Sequence, residues 1–211
     1  MEILDLFYKS LFVLFIIIDP IGYCFIFSAL TTNFNKSDIL KISLKATLIS
    51  YIVIILFLIF GKILLDAIHI KIEAMKIVGG LALLKTGYSI VYDNKNNKEY
   101  QVIEDEENQL KNNIIIYPLA MGILSGPGTL STIVIISDSL TIIQEYIIVI
   151  ISITIIYTVC FIGTILLNRI NNLNNDIIII LNTIIGILLS SLAITFIING
   201  IKDLVDNWDL N

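Results

Sequence analysis

The stretch Ile3 to Leu30, ILDLFYKSLFVLFIIIDPIGYCFIFSAL, is apolar along nearly all its length and carries Asp19-Pro20-Ile21-Gly22 near its middle. At ~1.5 Å rise per residue, about 20 helical residues cross a hydrocarbon core of ~30 Å. The stretch is therefore long enough to span a bilayer. Proline lacks a backbone donor and clashes with the preceding turn, so Pro20 predicts a kink or a split into two half-helices. In lipid, freed backbone groups must find partners, and broken spans persist mainly where they line a protein-enclosed cavity. A second run, Ile114 to Ser137, repeats the pattern with Ser125-Gly126-Pro127-Gly128. Paired breaks in two halves of a chain point to a transporter's binding site.

Outward from these breaks, the 211 residues are 57% hydrophobic and only 15% charged, with a mean hydropathy of +0.93. That composition predicts an all-α, polytopic membrane protein. Six spans are expected, at 3–30, 44–68, 72–92, 113–137, 142–167 and 177–201. Glu2 and Asp5 precede the first span, where a cleavable signal peptide would be positively charged, so that span is expected to stay. The net charge of −5 is scattered and shows no basic patch for nucleic acid; Glu104-Asp105-Glu106-Glu107 reads as a solvated loop. Cys24 and Cys160 fall in apolar runs without a CxxC, and so read as small hydrophobes. His69 reads as an interfacial residue, and neither a metal nor a cofactor is expected.

The polar, asparagine-rich linker 93–112 separates residues 1–92 from 113–202, three spans each, with a polar tail at 203–211. With an odd number of spans per half, the second half enters the membrane upside down, which predicts two inverted three-helix repeats. Pro127 lies 107 residues beyond Pro20, and in that register Gly186 matches Gly79 and Arg169 matches Lys62. Gly186 is the only second-half glycine that finds a glycine mate there. Lys36, Lys41, Lys45, Lys95, Lys98, Lys111 and Arg169 fall on one side of a six-span arrangement. Lys9, Lys62, Lys71, Lys76 and Lys202 fall on the other, a small imbalance that leans toward both termini outside.

Asp before Pro is a helix-start pattern, with Asp as N-cap and Pro in the first turn; Ser125 and Gly126 before Pro127 are expected to do the same work. Each break then presents backbone amides carrying partial positive charge, suited to a carboxylate or another small anionic group. Gly22, Gly126 and Gly128 let backbone approach a ligand closely. The alternative is a pair of packing kinks. A charge at mid-span costs about 2.5–3.5 kcal/mol on insertion scales, so Asp19 is either a local cap or a group for proton or cation coupling or for amine recognition. Lys85 is expected to snorkel rather than pair with Asp19. Gly79, Gly80 and Gly186 read as helix-packing residues, as does the Gly122/Gly126 GxxxG spacing. Tyr23, Thr129, Ser131, Thr132, Asn182 and Thr183 are polar candidates for substrate contact or interhelical bonding.

At Ile18-Asp19-Pro20-Ile21-Gly22, Val78-Gly79-Gly80 and Leu124-Ser125-Gly126-Pro127-Gly128, and over essentially its whole length, the sequence resembles the MarC family. That family shows a D/N-P-hydrophobic-G motif and an A-G-P-G motif at these places. The chain departs from it at Tyr23, where asparagine is frequent, and at Ser125, where alanine is usual. The resemblance implies a bacterial or archaeal cell membrane and, for some members, transport of small neutral amino acids. Because the family admits Asn where Asp19 stands, it argues against an obligatory charge there.

The reading that follows is a secondary transporter, importer or exporter, for a small zwitterionic solute. Its site would be Asp19, Pro20, Gly22, Tyr23, Ser125, Gly126, Pro127, Gly128 and Thr129. The remaining expected partners are the lipid bilayer, a coupling proton or sodium ion, and a further copy of the chain where the protein self-associates. A non-transporting scaffold or regulatory protein is the alternative. No nucleophile–base pair or metal-ligand cluster in the spans points to an enzyme. The transporter reading expects both breaks to line a cavity, and the scaffold reading expects them to be filled by side chains.

Overall fold

The computed structural model describes residues 3–31, 34–92, 115–167 and 175–208. Among these it is all-helical: α1 (Ile3–Ile18), α2 (Pro20–Leu30), α3 (Lys36–Ala67), α4 (Ile72–Tyr92), α5 (Ile115–Leu124), α6 (Pro127–Ser139), α7 (Ile143–Leu167) and α8 (Asn175–Trp208). The linker 93–112, its acidic run and Arg169 lie outside the described residues.

The first expected span breaks where the sequence predicts, between α1 and α2, and the fourth between α5 and α6. Among the described residues, five stretches are long and apolar enough to cross a membrane: Leu4–Leu30, Lys36–Ala67, Ile72–Tyr92, Ile143–Leu167 and Ile180–Asp206. The fourth expected span is not among them. Its break leaves helices of 10 and 13 residues, each too short to cross alone. The two breaks are thus unequal, for at the first a single residue, Asp19, interrupts two helices that run on as one stretch.

Two helices outrun their sequence-predicted spans. α3 begins at Lys36 and has 32 residues, and α8 runs to Trp208 with 34. At ~1.5 Å per residue each is on the order of 50 Å long, well beyond a ~30 Å core. The polar first turns of α3 (Lys36, Asp38, Lys41) therefore extend past the hydrocarbon. α5 is a π-helix, with Pro118 in its first turn, where no N–H is required. It ends with the Ser125 amide donating back five residues to the Ala120 carbonyl (2.9 Å).

The packing forms two antiparallel pairs with α6 wedged between them. α3 and α7 join through hydroxyls, Ser43 to Thr164 at 2.6 Å and Ser50 to Tyr157 at 2.7 Å. α4 and α8 join through small residues. Gly87 lies against Gly186, Gly80 against the Ala193 carbonyl, and Gly200 against the Glu73 carbonyl. In both pairs, residue numbers fall on one helix as they rise on the other. α6 sets Val134 against Gly61 of α3, and Gly128 and Ser131 against Leu83 and Gly79 of α4. α7 also runs along α1 and α2, where Ser10 meets Ser152 at 3.0 Å and the Cys24 thiol reaches the Cys160 carbonyl at 3.8 Å.

Lipid tails are as apolar as the side chains they would replace, so close packing and interhelical hydrogen bonds hold such helices together. The main core gathers Leu14, Ile18, Phe27, Ile54, Leu119 and Ile153. A smaller cluster of Ile17, Leu83, Leu189 and Ala193 fixes the α4–α8 pair to α1. The outer faces of α3, α4 and α8 carry exposed Leu, Ile and Val side chains. In water they would be a liability; in a bilayer they meet lipid.

Candidate functional site

At the first break Asp19 takes a left-handed conformation, φ 46° and ψ 70°, and caps α2. Among non-glycine residues Asn and Asp accept this region most readily, because a short polar side chain can hydrogen-bond locally. The bond is present: the Gly22 amide donates to the Asp19 carboxylate at 3.0 Å. Pro20 fills the first helical position, where its missing N–H costs nothing. Any Cβ on Gly22 would overlap the Asp19 carboxylate. The four residues Asp19-Pro20-Ile21-Gly22 thus form one device: a left-handed cap, a proline start and a glycine that makes room for the cap. Asp19 is the only charged side chain buried among the described residues, and Lys85 is exposed on α4 and makes no ion pair with it.

The second break is dressed differently. Gly126 holds the N-cap position in extended conformation, φ −64° and ψ 168°, without a side-chain cap. Ser125, expected to cap α6, instead donates its hydroxyl backward to the Ala120 carbonyl at 2.7 Å. The cause is the register: Ser125 directly follows the π-helix, so its hydroxyl lies beside the loose carbonyls of α5. Ser131 and Thr132 donate to the Pro127 and Gly128 carbonyls one turn back, which accounts for their hydroxyls as helix-internal bonds. Thr129 is buried and Pro127 exposed. Both breaks are packed, with the Asp19 carboxylate over Gly22 and the Leu83 side chain over Gly128.

A buried polar cluster lies between the breaks. The Tyr157 hydroxyl meets Ser50 and donates to the Leu124 carbonyl at 3.2 Å, the last residue of α5. One turn earlier on α3, the Thr47 hydroxyl lies against the hydroxyl of Tyr23. Neither hydroxyl makes a hydrogen bond of good geometry among the described residues, although the two stand close enough to interact with one another. Tyr23 is 0% exposed and Thr47 8%. Tyr23 therefore carries the first break toward α3, and Tyr157 ties α3 to the second.

The structure thus brings Asp19 and Gly22 together, turns Tyr23 toward Thr47, and places Gly128 and Ser131 on α4. Gly79, Gly80 and Gly186 sit at helix contacts. Asn182 is half-buried, its side-chain oxygen without a partner among the described residues. His69 occupies the α3–α4 turn, exposed, with φ 58°, and no metal-ligand cluster occurs among the described residues. Thr47, Ser50 and Tyr157 escape the sequence reading. One signal was available for two of them: Ser50 and Tyr157 stand in the same 107-residue register as the two prolines.

The family described as MarC family integral membrane protein matches residues 4–205. Among relatives, a UPF0056 membrane protein of Archaeoglobus fulgidus is 26% identical over 98% of this chain and 97% of its own length. One from Buchnera aphidicola subsp. Baizongia pistaciae is 31% identical over 93% of each. The UPF0056 membrane protein YvbG of Bacillus subtilis is 31% identical over 70% of this chain and 71% of its own. No solved structure matches.

Proposed function

The chain belongs to the MarC family of integral membrane proteins, and from that premise we propose that it is a secondary transporter of small neutral amino acids or similar zwitterionic solutes. The observation that carries the reading is the matched pair of proline-broken helices with opposite electrostatic dress. α6 starts without a side-chain cap, so the amides of Gly128 and Thr129 and the positive helix end are suited to a carboxylate. α2 starts under the Asp19 carboxylate, which already takes the Gly22 amide. That end favours an ammonium group, a proton or a sodium ion over a second carboxylate. A zwitterion needs one end of each kind.

Six crossings arranged as two inverted repeats belong to the same proposal, with α5 and α6 together making the fourth crossing. Halves related by a two-fold axis in the membrane plane can bring a residue against its own mate only at that axis. Ser50 and Tyr157, 107 residues apart, touch, while Asp19 and Gly126, the same distance apart, are the two N-cap residues. α3 pairs with α7 and α4 with α8, each with its counterpart and antiparallel, as such an axis requires.

Uptake and counterflow of labelled alanine, glycine and serine in proteoliposomes, with and without a proton gradient, test this reading. Saturable flux is expected, and Pro20→Ala/Pro127→Ala, checked for folding, should abolish it. One observation favours the alternative of a non-transporting scaffold: both breaks are packed by side chains. A well-folded protein that moves none of the three solutes would leave that alternative standing.

A further inference from the structure

We propose that the outer face shared by α4 and α8 binds a second copy of this chain, with Lys85 of each copy seated against Ser191 of the other. The proposal does not depend on what the protein transports. Lys85 lies exposed on α4, about 10 Å short of the helix end at Tyr92 at ~1.5 Å per residue. It makes no ion pair among the described residues. An ammonium carries three donors and no acceptor, and an ionisable group inside a span ordinarily faces protein and pairs there rather than meeting lipid tails. The outer face of α3 sets no such demand. Its exposed side chains from Leu48 to Phe60 are all leucine, isoleucine or phenylalanine, which lipid satisfies.

The complement lies on the neighbouring helix. Ser191 is exposed on α8 and donates its proton to the Ile187 carbonyl at 2.9 Å, so its hydroxyl offers only lone pairs outward. Depth matches: Gly87 lies against Ser190 and Gly80 against Ala193, so Lys85 and Ser191 fall at one level of the antiparallel pair. The side matches too. α6 covers one flank of α4 at Gly79, and α1 covers the corresponding flank of α8 at Leu189, so the exposed remainders of both helices look the same way. On α4 that remainder is Val78, Leu81, Lys85, Tyr88 and Tyr92; on α8 it includes Ile184, Ile187, Ser191, Ile194 and Ile198. Both series alternate steps of three and four, the spacing of a seam between helices. Copies of a membrane protein insert in one orientation, so a two-fold axis between them runs along the membrane normal and returns every residue to its own depth. Face to face about that axis, α4 of one copy meets α8 of the other, and the contact of Lys85 with Ser191 is made twice. The face is thus its own complement, and in lipid such a polar pair supplies what apolar contact alone does not.

The test is resonance energy transfer between donor- and acceptor-tagged copies of the full-length protein in liposomes, followed as the protein-to-lipid ratio falls. Wild type should associate as a dimer. Lys85→Ser should weaken association roughly tenfold or more, the worth of a hydrogen bond to a charged group. Ser191→Lys, which sets ammonium against ammonium, should weaken it at least as much. The exchange Lys85→Ser/Ser191→Lys rebuilds both contacts across the axis and should recover wild-type association. Elution of each variant as a single symmetric peak separates lost pairing from lost folding. Wild type that stays monomeric at every ratio overturns the proposal and leaves Lys85 to lipid phosphate. Association that all three variants leave unchanged places the contact on another face and overturns it as well. So does a folded exchange variant that stays as weak as Ser191→Lys.

Discussion

At the residue scale, Asp19 does two separable things. It holds a left-handed backbone and it accepts from the Gly22 amide. Asn can do both, Gly only the first and Leu neither. Thermal unfolding in detergent should therefore rank Asp19→Asn close to wild type. Asp19→Gly should be lower by a few tenths of a kcal/mol, for the lost cap. Asp19→Leu should fall lowest, since a branched side chain at positive φ adds about 1–2 kcal/mol of strain. If Asp19→Asn folds normally but loses dependence on a proton or sodium gradient, the charge has a role beyond capping. Gly22 gives a second test. Gly22→Ala should displace the carboxylate and destabilise wild type by about 1 kcal/mol, yet cost little in an Asp19→Gly background, where nothing remains to displace. Additive costs in that double-mutant cycle would show that the Asp19–Gly22 fit is not what Gly22 is for.

At the element scale, the glycines separate into those facing backbone and those facing side chains. A Cβ on Gly80 would stand 2.8 Å from the Ala193 carbonyl, and one on Gly87 the same distance from the Gly186 carbonyl. Neither obstacle can rotate away, so α4 and α8 must part. A Cβ on Gly163 would meet only the Cys24 thiol, at 2.6 Å. Gly80→Ala and Gly87→Ala should each destabilise by about 1–3 kcal/mol, the usual cost of overpacking. Gly163→Ala should be relieved by Cys24→Ala. Melting temperatures of the purified variants measure all three, and equal losses at Gly87 and Gly163 would contradict the distinction. The sequence made the α4–α8 glycines legible because small residues recur on one helical face. It could not show that α5 would be π-helical, since nothing in ILE-rich periodicity encodes a five-residue hydrogen bond. The Ser125 cap failed for that same reason. Tyr157 was hidden in the run Ser152-Ile153-Thr154-Ile155-Ile156-Tyr157, where its partner on α3 lies a hundred residues away.

At the scale of the whole molecule, the ion pairs among the described residues collect at one end. Lys62 on α3 meets Asp138 on α6 at 2.9 Å, and Lys76 on α4 meets Asp203 on α8 at 2.8 Å. The last turns of α3, α6 and α8 and the first turn of α4 therefore share a face of the protein. The pair between Lys9 and Asp5 joins them, because Ser10 meets Ser152 and Cys24 meets Cys160, which sets the start of α1 beside the start of α7. Exposed pairs of this kind add little stability; their value here is positional. In a background with Cys24→Ala and Cys160→Ala, single cysteines at His69 in the α3–α4 turn and at Ile142 before α7 should react with an impermeant maleimide from the same side of sealed vesicles. A cysteine at Asn35, between α2 and α3, should react only from the opposite side. Labelling of Asn35 and Ile142 from one common side would mean that α5 and α6 do not together cross the bilayer. The inverted arrangement would then be lost, and with it the reason for the second break to face the first.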